Sequence, residues 1–165
     1  MLLRGKPHGK LECGLVVIAA LTEVPLWRVR RYAETLLKRQ WPKNVEEFSN
    51  AIGLRSLRPA IERTFEHFVG YKESLTFPCV APEIPLPTAS QRGILVLNGD
   101  RWVHAIAVDR GEVIDSTTGV IDHYLLEDIP RKYPPPWLPI AFIPVPVCAR
   151  RTVQRGNGNR LRGKC

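Results

Sequence analysis

The sequence predicts an α+β domain in which a helical N-terminal half packs on a C-terminal antiparallel sheet. Three observations predict it: apolar residues recur at helical spacing through the first half, prolines crowd residues 77–87, and alternating runs between turn signals fill the second half. A chain of 165 residues buries one ordinary core, so one domain is expected over 1–148, followed by a tail.

The first element is expected to open near Cys13. Residues from Cys13 to about Glu23 are apolar and good helix formers, and Gly9-Lys10-Leu11-Glu12 leads into them, which sets the thiol at a helix N-terminus. Leu26, Val29, Ala33, Leu36 and Leu37 then fall on one helical face, with Pro25 tolerated at its start. Residues 45–54 read as a short helix closed by Gly53, and Arg58 to Phe68 as another ended by Gly70.

Four prolines between Phe77 and Pro87 forbid regular structure there. Beyond them Gly93 to Leu97 is a short strand, Asn98-Gly99 a hairpin turn and Trp102 to Val108 an alternating strand. Arg110-Gly111 is a second turn, and Val113 to Asp115 starts a third strand. Leu125 to Asp128 reads as a single helical turn, Pro134-Pro135-Pro136 as extended chain, and Leu138 to Val147 as an edge strand that tolerates its prolines.

Composition narrows the function classes. Hydrophobic residues at 44% and charged residues at 24% describe a folded chain. The apolar run Leu15–Leu21 is too short to span a membrane, so a soluble chain is expected. Cys13, Cys79, Cys148 and Cys165 are scattered without zinc-module spacing, so neither a structural metal nor a disulfide framework is expected, and a reducing, cytoplasmic compartment is. No cofactor is implied. The net charge of +8 is concentrated in residues 149–165, where Arg150, Arg151, Arg155, Arg160, Arg162 and Lys164 stand with no acid. This basic tail is expected to be disordered, with an acidic protein or nucleic acid as its conceivable partner. Trp27 and Trp41 near Arg28, Arg30 and Arg31 suggest a basic aromatic surface, although an amphipathic helix with an exposed basic face gives the same pattern and is preferred.

Chemistry concentrates on Cys13, His104 and Asp115. A thiol attacks carbonyls as thiolate, and both a helix N-terminus and an adjacent imidazolium favour that form. Cys13 has the first, and His104, within the strand RWVHAIAV, is the candidate for the second. Asp115 is the candidate to hold the imidazole in one tautomer, provided the register allows it. A two-residue Arg110-Gly111 loop pairs Asp109 with Glu112, sets His104 opposite Thr117 and leaves Asp115 on the same face as His104. A three-residue loop with a glycine bulge turns Asp115 to the other face. The first register is preferred because it accounts for a charge in an apolar strand. Taken singly, Cys13 is a small buried residue, His104 a sheet histidine and Asp115 a turn cap. Their joint placement at a helix start and on two adjacent strands is what those readings leave unexplained.

The order ECGLVVIAAL, WVHAIAV, EVIDS resembles the papain-like superfamily of cysteine peptidases, and is most similar to its bacteriocin-processing, double-glycine leader peptidase-like domains, over about Leu11 to Gly119. TEVPLWRVRRYA is similar to that family's second helix. The resemblance implies a papain-like fold and a Cys13–His104–Asp115 triad cleaving a peptide or isopeptide bond through a thioester. That family commonly has a glutamine six residues before the cysteine, where this chain has Pro7, so oxyanion donors must come from the Cys13 backbone N–H, His8 or Gln91. Two alternatives follow from the same residues: a catalytically silent module that recruits a protein or nucleic acid, and an acyl transferase or deamidase similar to transglutaminases.

Overall fold

Seven consecutive apolar residues, Leu15–Leu21, leave a helix no polar face to turn outward, so such a helix must be central. In the computed structural model, which describes residues 3, 5, 12–42, 54–70, 72, 82–99, 103–116 and 120–146, helix α1 (Cys13–Thr22) is central. All seven of those residues are buried. Each contributes about 1.5–3 kcal/mol if Val, Ile or Leu. Helices α2 (Leu26–Leu37) and α3 (Leu54–Val69) flank it and pack on one another, and α2 buries Leu26, Val29 and Ala33 along its inner face.

Helix α3 starts four residues before the Arg58 expected from the sequence and runs through Pro59. Proline there forfeits one hydrogen bond to the preceding turn, yet burial of Leu57, Ala60, Phe65 and Val69 holds the helix together. The helix expected over 45–54 lies outside the described residues up to 53, as do His8, Cys79, Cys148 and the tail from 149.

Strands β1 (Arg92–Asn98), β2 (Val103–Asp109), β3 (Glu112–Asp115), β4 (Asp122–Leu125) and β5 (Leu138–Pro144) form one antiparallel sheet in the order β4-β3-β2-β1-β5. The chain is therefore α+β, with the helical half packed against the sheet. β5 lies at the edge, where its prolines need no ladder partner on the outer side.

Three sequence expectations are corrected. Asn98 ends β1 opposite Val103 instead of turning the chain. Gly99 is required for space rather than for its dihedral freedom, because a Cβ there would meet the Trp137 ring at 2.9 Å. The triproline is a turn with a cis Pro135–Pro136 bond, not extended chain. Leu125, expected to open the helical turn, is instead the last residue of β4, a four-residue edge strand too short and polar to show in the pattern.

Strand alternation divides the core. Ile94, Val96, Ala105 and Ala107 face the helices, while Leu95, Leu97, Ile106, Val108 and Val113 face the 3-10 turn Leu126–Asp128 and helix α4 (Ile129–Lys132). Arg92 ties the two halves together: its guanidinium donates to the Leu21 carbonyl at the end of α1 and, at 3.2 Å, to the Val145 carbonyl, with Asp109 Oδ2 3.4 Å away. The carbonyls at a helix C-terminus lack intrahelical donors, so a half-buried cation there anchors α1 to the sheet.

Candidate active site

Cys13 is the first residue of α1, and two of its partners come from β2. The helix places unsatisfied backbone N–H groups and a partial positive charge at this end. The Cys13 thiol hydrogen-bonds the His104 side chain and the backbone N–H groups of Ala105 and Gly14. Burial by itself raises the thiol's pKa, but His104 and the two N–H donors more than offset it, and the thiol lies below its ordinary 9.0. Ala105 can donate because the β2–β3 pairing has ended at Ala107↔Ile114.

The register that brings His104 to Asp115 follows from the turn. Arg110 and Gly111 adopt φ of 54° and 86°, the left-handed pair of a two-residue hairpin loop, and Asp109 pairs with Glu112. With Asp115 thus on the histidine's side, His104 Nε2–H donates to Asp115 Oδ1 at 2.7 Å. The other ring nitrogen, Nδ1, is left for Cys13. Thr117, expected opposite His104, lies outside the described residues. Burial lowers the His104 pKa, but hydrogen bonds and charge from Asp115 and Cys13 reverse this and raise it to about 9. A depressed thiol beside an elevated imidazole is the signature of a thiolate–imidazolium pair.

Two residues of the site escaped the sequence reading. Asp115 Oδ2 accepts from the hydroxyls of Tyr124, at 2.8 Å, and of Tyr133. The three donors stabilise the carboxylate as an anion and fix its plane. Burial and the adjacent Asp115 charge push the Tyr124 hydroxyl far up, so it stays a donor. Lys132, ion-paired to Asp122, lies 4.8 Å over the Tyr124 ring and ties α4 to β4. The rings of Tyr133 and Trp137 pack beside His104, at 5.8 and 6.5 Å between centroids, and shield its bond to Asp115 from water. Tyr124 and Tyr133 fall on an edge strand and just after a helical turn, so no spacing signal pointed to them.

Glu12 and Arg30 were also missed as a pair. Glu12, 1% exposed, makes a two-pronged ion pair with Arg30 of α2, through Nε and, at 2.9 Å, Nη2. It fixes the residue that precedes Cys13. Arg30 is thus part of the core and Trp41 is buried, which removes two members of the basic aromatic surface and leaves Trp27, Arg28 and Arg31 on an exposed helix face.

Of the oxyanion candidates, the Cys13 backbone N–H is at the first position of α1. His8 lies outside the described residues. Gln91 does not reach the site: it closes a turn with Thr88 at the far end of β1, roughly 20 Å along the strand from Leu97, the partner of His104. Among the described residues no three His, Cys, Asp or Glu side chains are grouped to hold a metal ion, and no helix is long and apolar enough to cross a membrane. No protein-family model, curated protein or solved structure matches the chain.

Proposed function

We propose that the chain is a papain-like cysteine hydrolase that cleaves a peptide or isopeptide bond by way of a thioester. The observation that carries this reading is the continuous relay from Cys13, at the start of a buried helix, through His104 to an Asp115 carboxylate held by two further hydroxyls.

In the reaction, Cys13 thiolate attacks the carbonyl carbon and forms the S–C bond while the carbonyl oxygen takes up negative charge near the Cys13 N–H. The imidazolium of His104 gives its proton to the leaving nitrogen, and the C–N bond breaks. Water then attacks the thioester, His104 takes its proton, the S–C bond breaks and the acid leaves. Thiolate and imidazolium are restored once that proton stays on His104. Asp115 keeps Nε2 protonated and Nδ1 facing the sulfur throughout.

The test is to incubate the full chain with a proteome-derived peptide library and to label newly formed amino termini. New termini that disappear in Cys13→Ala and fall sharply in His104→Ala support peptide hydrolysis. Unchanged peptides with the wild-type chain would overturn it and favour the silent binding module.

A further inference from the structure

We infer that the acyl side of the substrate carries a large apolar side chain on the residue that supplies the attacked carbonyl. This rests on the hydrolase reading. A cleft of about 310 Å³ opens at Cys13 and Gly14 and is walled by Ile61, Phe65, Ile94, Val96 and Val103. An apolar cavity of about 150 Å³ already takes a benzene-sized group, so this space accepts a leucine or phenylalanine side chain with room to spare.

The placement gives the cleft a chemical meaning that an apolar patch elsewhere would lack. The proposed nucleophile is one of its lining residues, so a side chain next to the attacked carbonyl is within reach of the cleft. Gly14 keeps that mouth open: a Cβ there would come within 3.2 Å of Ile61 Cδ1. Arg58 is the charged residue of the lining, and its guanidinium is engaged by Glu62 at 3.1 Å. Val103 is 52% exposed at the start of β2, so a side chain seated in the cleft would cover it. A glycine acyl residue would leave all of this surface wet. A large apolar one removes it from water and contributes binding where the chemistry occurs.

The experiment is protection of Cys13 from iodoacetamide by N-acetylglycinal, N-acetylleucinal, N-acetylphenylalaninal and the aldehyde of N-acetylaspartate, read by intact mass. An aldehyde forms a reversible S–C bond with Cys13, and its oxygen takes the proton from His104. The leucine and phenylalanine aldehydes should protect at concentrations at least about 10-fold lower than the glycine and aspartate ones. In Val103→Gln, which makes one wall of the cleft polar, that preference should shrink. Glycinal protecting as well as leucinal, with Cys13 still reactive at low pH, would overturn the inference, leave the hydrolase reading standing and indicate that something other than a substrate side chain fills the cleft. A Cys13 with an ordinary or elevated pKa would overturn the hydrolase reading instead.

Discussion

The Nε2–H of His104 donates to Oδ1 of Asp115 at 2.7 Å, and the second oxygen of that carboxylate is occupied by two tyrosine hydroxyls. Oδ2 is saturated, Oδ1 points at the ring, and the imidazole is oriented with Nδ1 toward the thiol.

Tyr133→Phe should cost stability as well as rate. It removes a buried donor to a charged acceptor, a loss of about 1.5–3 kcal/mol. For a chain of this length that lowers Tm by roughly 3–12 °C. Tyr124 is less buried, so Tyr124→Phe should cost less. Differential scanning calorimetry on both variants checks the order; equal, negligible shifts would mean that the hydroxyls do not hold Asp115.

Glu12 and Arg30 should show the asymmetry of a buried ion pair. Arg30→Met alone strands the Glu12 carboxylate and should lose about 3–5 kcal/mol, whereas Glu12→Leu with Arg30→Met should recover much of that loss. Urea denaturation of the two single variants and the double variant measures it. Additive losses would contradict a coupled pair.

Hydrolysis should follow a bell-shaped pH profile. As pH rises through the depressed Cys13 value the thiolate forms and kcat/KM climbs. As pH rises on through about 9, the His104 imidazolium is lost, the leaving group has no proton donor and the rate falls. An acid limb at or above the ordinary thiol value of 9.0 would contradict the ion pair.

Gly99→Ala tests the packing over the histidine. The added methyl meets Trp137 at 2.9 Å and must displace a ring that borders His104 and Tyr133. A stability loss of about 1–3 kcal/mol is expected, together with a fall in turnover. Unchanged turnover in a stable variant would show that Trp137 does not shield the site.

What the sequence made legible was local. The Arg110-Gly111 turn was visible but allowed two registers; the one that accounts for Asp115 in an apolar strand was preferred, and the left-handed φ of both turn residues matches it. The apolar run after Cys13 identified a buried helix. What stayed hidden depends on distant neighbours. Glu12 meets Arg30 only because two helices cross, and Arg30 looked like one cation among several on a basic face. Tyr124 and Tyr133 reach Asp115 only through the fold of β4 and α4 around it, and the DHYL strand lacks the alternation that reveals longer ones. Gly99 was identified as a turn residue when its role is to let Trp137 approach, which no dipeptide preference encodes.

The most direct measurement of the central claim is the rate of Cys13 alkylation by iodoacetamide against pH, in the wild type and in His104→Ala, with the site of modification located by mass spectrometry. The wild-type thiol should react with an apparent pKa below 9.0. In the variant that value should rise, because burial remains when the imidazolium is gone. A thiol of ordinary or elevated pKa in the wild type, indifferent to His104, would contradict the ion pair and with it the proposed hydrolase.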